Sequence, residues 1–283
     1  MRILLTNDDG IMAPGILAMH RALEGLGDVT IVAPMTAQSA VGHAISVADP
    51  VRCHRIDLGG GLVGHGVDGR PADCVKLAVL ELMPARPDLV VSGLNLGANV
   101  GINVLYSGTV AAAIEGAFYG IPSVAASLEL SDTIDFPGAA RIVRRLIDQI
   151  LAKSVGGPAP EASLGFLTED GSAPPVDAAA RGDGSWRQAM LLNINVPDLA
   201  RGVPCGVRVV PQSMKGFREG WEKRQDPRGR TYYWMIGAQD VENGTQETDV
   251  SALARRYVTV TPLRFDLTDH ERMAALREWE LKA

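Results

Sequence analysis

The sequence predicts an α/β fold, a mostly parallel sheet covered by helices on both faces, and three observations carry that expectation. Short aliphatic runs of strand length recur at Arg2–Thr6 (RILLT), Asp28–Ala33 (DVTIVA), Pro87–Ser92 (PDLVVS) and Pro122–Ser127. Between them lie stretches whose apolar residues fall at helical spacing. Glycine or proline marks most boundaries, including Gly25, Gly27, Pro34 and Gly120.

The elements follow in order. After the first strand, Pro14 to Leu26 places Ile16, Leu17, Leu23 and Leu26 on one side of a helix, stopped by glycine. Met35 to Asp49 has no period and reads as a loop of small residues holding Gln38, Ser39 and His43. Val51 to Val67 reads as extended pieces around the turn Gly59-Gly60-Gly61. Pro71 to Leu82 opens with proline and carries an apolar face through Val75, Leu77, Ala78 and Leu82, hence a helix. The strand at Pro87–Ser92 runs into a loop rich in glycine and asparagine, Gly93 to Ser107. Gly108 to Tyr119 is a small-residue helix, and Ala139 to Lys153 an amphipathic one with Arg141, Arg144, Arg145 and Asp148 facing water.

Gly156 to Ser185 is rich in Pro, Ala and Gly and reads as a flexible surface insertion. Met190–Val196, Val207–Pro211, Tyr232–Ile236 and Tyr257–Thr261 are further strands, and Gly216 to Arg230 a polar loop or exposed hairpin. The last stretch, Thr268 to Lys282, begins on a Thr-Asp-x-Glu cap and sets Met273, Leu276 and Trp279 on one side of a helix.

Composition excludes several classes. A chain of 283 residues with 46% hydrophobic and 21% charged residues can bury a large core. A net charge of −6 argues against coating a nucleic-acid polymer. Cys53, Cys74 and Cys205 show no Cys-x-x-Cys spacing and read as reduced, mostly buried thiols of a cytoplasmic protein. A strand begins at residue 2, no signal-peptide pattern precedes it, and no apolar run is long enough to span a membrane.

The chemistry concentrates where the first strand stops on Asn7-Asp8-Asp9-Gly10. In open α/β sheets the carboxyl ends of strands line the ligand crevice. Adjacent crowded carboxylates repel unless a cation sits between them, so Asp8 and Asp9 suggest Mg²⁺ or a similar hard divalent ion; the alternative is a turn with Asx caps. The loop after the second strand adds Ser39, and the loop after Val91 adds Asn95, Asn99 and Ser107. Two carboxylates, a hydroxyl and an amide carbonyl make an oxygen set for Mg²⁺ or Mn²⁺. Ser107-Gly108-Thr109 opens a helix whose free N–H groups can cradle phosphate. Each of these has a plainer reading: Ser39 as a loop hydroxyl, Asn99 as a turn residue, Ser107 as an N-cap, His43 and His65 as structural residues.

The segments TNDDG (Thr6–Gly10), PADCV (Pro71–Val75), SGLNLGANVGINVLYSGTVAAAIEG (Ser92–Gly116) and TPLRFDLT (Thr261–Thr268) together resemble the SurE family, metal-dependent 5′/3′-nucleotidases. The resemblance implies a three-layer Rossmann-like core and a C-terminal strand/helix extension used in oligomerisation. It implies one domain over 1–283: a core of about 1–153 plus the strand near 190–196, the insertion at about 156–185, and the extension at about 206–283. It implies hydrolysis of nucleoside monophosphates, extending to short polyphosphate, by a homodimer or homotetramer with one Mg²⁺ or Mn²⁺ per subunit. By motif, Asp8, Asp9, Ser39 and Asn95 are the metal ligands. Asn99, Ser107, Gly108 and Thr109 contact substrate phosphate; Asp8, Asn99 and Ser107 carry catalysis.

The chain departs from the family pattern in three places: the run APMTAQSA before and at Ser39, Arg70 where a small hydroxyl residue is usual, and the long insertion. Three rivals remain in view. A phospho-acceptor receiver module would need a third Asp where the later loop has Asn95. A dinucleotide-binding oxidoreductase would need G-x-G-x-x-G after the first strand. A haloacid-dehalogenase-type phosphatase would space its acids as Asp-x-Asp.

Overall fold

The computed structural model describes residues 1–153, 190–214, 217–239 and 247–279. In chain order the elements are β1 (Arg2–Thr6), α1 (Pro14–Leu23), β2 (Asp28–Pro34), β3 (Cys53–Gly59), β4 (Leu62–Val67), α2 (Pro71–Leu77), β5 (Leu89–Leu96), α3 (Gly108–Phe118), β6 (Ser123–Leu128) and α4 (Phe136–Lys153). Then follow β7 (Leu191–Val196), β8 (Val207–Val209), β9 (Phe217–Gln225), β10 (Thr231–Gln239), α5 (Asp249–Ala254), β11 (Val258–Pro262) and α6 (His270–Arg277).

The main sheet runs β3-β4-β2-β1-β5-β6-β7-β11-β8. Strands β4 through β7 in that order are parallel; β3 is antiparallel to β4, and β11 is antiparallel to β7 and parallel to β8. Alternation along each strand divides the core between two faces. Ile3 and Leu5 of β1, with Leu89 and Val91 of β5, pack under α1 and α4. Leu4 and Val90 turn the other way, against Cys74, Val75 and Ala78 of the α2 segment. Truncating a fully buried residue such as Leu4 to Ala costs about 2–5 kcal/mol by the usual cavity penalty. The small residues of α3 let that helix lie close to the sheet: a Cβ on Gly116 would stand 2.5 Å from Ser123 Oγ and 2.7 Å from Val90 Cγ2.

β1 lies between β2 and β5, where the chain order reverses, so the loops after β1 and β5 open at one rim. That switch point is the feature of the fold that positions the site.

Several expectations need correction. The strand predicted to end at Ser92 continues to Leu96, because Leu94 is fully buried and Asn95 and Leu96 pair with Ser127 and Leu128. It does so through an irregularity at Gly93, whose φ is +146° and where a Cβ would come within 2.4 Å of the Ala126 carbonyl oxygen. The predicted helix to Leu82 ends its regular turns at Leu77 and finishes as a wider π turn. Arg144 does not simply face water: Nη1 donates to the Ala22 and Glu24 carbonyls and closes the end of α1. Cys53 and Cys205 are exposed, and only Cys74 is buried.

The C-terminal region is only partly an appendage. β11 inserts between β7 and β8 in the main sheet, whereas β9 and β10 form a separate hairpin exposing Trp221, Tyr233, Trp234 and Met235. In α6, Asp269 is the N-cap and no residue is buried, so the apolar side formed by Met273, Leu276 and Trp279 is largely uncovered in the single chain. The insertion expected at 156–185 lies outside the described residues. Among those described, no helix is long and apolar enough to cross a membrane.

Candidate active site

The turn after β1 is built by its own side chains. Asn7 Nδ2 donates to the Gly10 carbonyl at 2.9 Å and Asn7 Oδ1 accepts the Gly10 N–H at 3.2 Å. Gly10 adopts φ +102°, a backbone conformation that side-chain-bearing residues rarely take. This Asx turn holds two carboxylates in different directions. Asp8 points to the start of α3, where Thr109 Oγ1 donates to Oδ1 at 2.5 Å and the Thr109 N–H also contributes. Asp9 points to the end of β5, where Oδ2 accepts the Leu96 N–H at 3.2 Å. The Gln38 N–H donates to the Asp8 carbonyl at 2.7 Å, which brings the Ser39 loop to the same rim.

The structure therefore joins Asp8, Asp9 and Thr109 by direct bonds or by a bond to the residue beside Asn95. Asn95 gives its Nδ2 to the Gly97 carbonyl at 2.6 Å, a bond that engages the amide nitrogen and not Oδ1. Ser39 is exposed and reaches the group through its neighbour Gln38. Gly108 packs directly on the acid: a Cβ there would stand 2.8 Å from Asp8 Cβ and 3.0 Å from Oδ2. Ser107 is indeed the N-cap of α3, Oγ accepting the Val110 N–H at 3.1 Å, and its hydroxyl proton remains to be donated.

Asn99 stands apart from the acid pair. Its N–H donates to Asn195 Oδ1 at 2.8 Å, its carbonyl accepts from Asn193 and Asn195, and its Nδ2 donates to Ser127 Oγ at 2.8 Å. Sequence reasoning missed this asparagine frame, although MLLNINV carries the signal: two amides, two residues apart, on one face of an otherwise apolar strand. It also missed Asp249, whose buried carboxylate accepts the N–H groups of Gly101 and Ser213 and so ties the 93–107 loop to α5.

His43 Nε2 lies 2.8 Å from Glu115 Oε2 and its ring stacks on Phe118; Lys76 Nζ lies 2.6 Å from Glu115 Oε1. His65 Nδ1 lies 3.7 Å from Cys53 Sγ.

Electrostatics distinguish the acid pair from a simple turn. Burial, with the charge of Asp9 adding to it, raises the Asp8 carboxyl to about 6 against the lowering effect of Thr109. Burial likewise raises Asp9. Among the described residues no Lys, Arg or His pairs with either acid. Crowded carboxylates with no cationic partner, beside an amide oxygen and a hydroxyl, are a donor set suited to a hard divalent cation. The residues fit the metal.

Comparison with known proteins accords with this arrangement. The profile of the family described as Survival protein SurE matches residues 3–219. A relative from Syntrophobacter fumaroxidans named 5′-nucleotidase SurE is 44% identical over 281 residues, 99% of this chain and 100% of the relative. Another of that name from Rhodopirellula baltica is 44% identical over 285 residues, covering 100% of both chains. The crystal structure of the SurE protein from Aquifex aeolicus superposes with a TM-score of 0.75 at 33% identity, over 99% of this chain and 100% of that one. The rim, the switch-point topology and these full-length matches lead to one conclusion: the chain belongs to the SurE family.

Proposed function

We propose that this protein is a divalent-metal-dependent phosphomonoesterase that hydrolyses nucleoside 5′- and 3′-monophosphates to nucleoside and phosphate, and also short polyphosphate. The observation that carries the reading is the unpaired acid couple at the switch point, bonded on one side to the start of α3 and on the other to the end of β5. Metal dependence is general in the SurE family. Asp8, Asp9, Ser39 and Asn95 are the residues to hold one Mg²⁺ or Mn²⁺ per subunit, which supplies Lewis-acid neutralisation of phosphoryl charge.

The chain's own residues supply the rest. Ser107, through its hydroxyl proton, and the Gly108 N–H at the positive end of α3 hold phosphoryl oxygens as charge redistributes. Thr109 supports them by fixing Asp8. Asn99, its carbonyl held by Asn193 and Asn195 and its Nδ2 by Ser127 Oγ, is the further residue to contact substrate. Asp8 is the residue to orient or deprotonate the attacking water, as its place beside the start of α3 allows. The water oxygen bonds to phosphorus, the ester P–O bond breaks, and the leaving oxygen is protonated. A covalent aspartyl-phosphate is disfavoured because an Asp engaged with metal is a poor nucleophile.

The reading includes a cytoplasmic homodimer or homotetramer in which the β9–β10 hairpin meets another subunit. The exposed Trp221, Tyr233, Trp234 and Met235 support that contact. A phosphate-release panel of 5′- and 3′-mononucleotides, with Mg²⁺, with Mn²⁺ and with EDTA, tests the activity. Release that is undiminished in EDTA would contradict it.

A further inference from the structure

We propose that Arg70 is a specificity-determining residue that reads a second phosphate on the leaving group, so that nucleoside bisphosphates are favoured over monophosphates. The proposal rests on reading the acid pair as a phosphomonoesterase centre. Arg70 is the residue before α2, and Pro71 packs its Cγ 3.1 Å from the Cβ position of Gly108, so Arg70 flanks the start of α3. Its guanidinium Nη1 donates to Gln38 Oε1 at 2.7 Å. Gln38 in turn holds the Asp8 carbonyl through its N–H at 2.7 Å and precedes Ser39. Gln38 therefore links the guanidinium, through its side chain, to the backbone of Asp8, through its N–H.

Depth assigns the two kinds of group to different phosphates. Asp8 and Ser107 are each only 6% exposed, whereas Arg70 is exposed. The inner groups take the scissile phosphate, and the outer cation meets whatever anion the leaving group carries. Among the described residues no carboxylate forms an ion pair with Arg70; Gln38, a neutral amide, orients the guanidinium without cancelling its charge. A guanidinium has five N–H donors in a planar fork, so the bond to Gln38 leaves most of them for a phosphate, which it binds bidentately. The chemistry at the scissile group is unchanged: water adds to phosphorus, the ester bond breaks, and the second phosphate leaves intact with the nucleoside.

The test compares phosphate release from 5′-AMP and adenosine 3′,5′-bisphosphate by the wild type, Arg70→Ser and Arg70→Lys with Mn²⁺, at low and high ionic strength. Arg70→Ser is expected to lower kcat/KM for the bisphosphate about tenfold, chiefly through KM, and to change that for 5′-AMP less than about twofold. Arg70→Lys is expected to lose about threefold, since it keeps the charge but not the fork. High salt is expected to shrink the wild-type preference, because the contact is exposed. Should Arg70→Ser melt early, Gln38→Ala, which releases the guanidinium, is expected to reduce the bisphosphate preference several-fold. Equal losses on both substrates, or no loss on either, would overturn the role of Arg70 while leaving the nucleotidase reading in place. No release from either substrate by the wild type, with any divalent metal, would overturn both.

Discussion

Replacing Asp8 with Asn is expected to stabilise the metal-free protein at neutral and alkaline pH, although it removes a group assigned to the chemistry. Asp8 holds its proton up to about pH 6 in the folded chain against 3.8 for an ordinary aspartate. Between those values the folded state binds more protons than the unfolded one, so stability falls as pH rises through the window and stays reduced above it. A shift of about two units at 1.36 kcal/mol each sets an upper bound of ~3 kcal/mol for the destabilisation present at pH 8 and absent below pH 4. The Asn variant escapes that penalty and keeps an oxygen to accept from Thr109, but it buries an amide N–H₂ at a cost of ~1–2 kcal/mol. The net gain at pH 8 is then at most ~1–2 kcal/mol, or up to roughly 2–8 °C in Tm for a chain of this size. Thermal unfolding in EDTA at pH 4.5, 6 and 8 measures it. Excess Mn²⁺ is expected to reverse the order, because the wild type gains ~2.7 kcal/mol at a hundredfold excess over Kd and the variant gains far less. A variant no more stable than the wild type at pH 8 in EDTA would refute the reasoning.

Four further outcomes are expected. Asp9→Asn cuts turnover by orders of magnitude in saturating Mn²⁺ while keeping the fold; steady-state rates with circular dichroism check both, and an undiminished rate removes Asp9 from the ligand set. Gly108→Ala pushes a methyl into Asp8 at 2.8–3.0 Å and is expected to lower kcat about tenfold or more and to cost ~1–3 kcal/mol of stability by overpacking, as kinetics and a melt together reveal. Asn195→Ala strips the Asn99 N–H of its acceptor and is expected to cost about 1–3 kcal/mol in urea unfolding and to weaken substrate binding. Replacing residues 217–239 by a short Gly/Ser turn is expected to yield a smaller assembly by light scattering, whereas an unchanged mass would place the subunit contact elsewhere.

The β1 tip was the most legible part of the molecule, because a five-residue run centred on Ile3, Leu4 and Leu5 and followed by Asn-Asp-Asp-Gly specifies both a buried strand and the polar turn that ends it. The helices were legible for the same reason, their apolar residues recurring at a period that only a helix satisfies. What escaped depended on partners distant in sequence. β5 passes through Gly93 and Leu94 because Ala126 and Leu128 lie alongside, and no local signal announces a strand continuing through a glycine. Thr109 was expected at the substrate, yet its hydroxyl is turned onto Asp8, a choice set by the approach of α3 to β1. The asparagine frame around Asn99 joins residues nearly a hundred positions apart. Arg70 was legible only as a departure from a family pattern; its place beside the start of α3 and the Ser39 loop came from the contacts of Pro71 and Gln38.

Diffraction from crystals soaked in Mn²⁺, recorded at a wavelength where manganese scatters anomalously, probes the metal site itself. The account predicts one anomalous peak per subunit in contact with the carboxylates of Asp8 and Asp9 and with Asn95, and its loss in Asp9→Asn. A map with no peak at the tip of β1, from a protein still active with Mn²⁺, would contradict it.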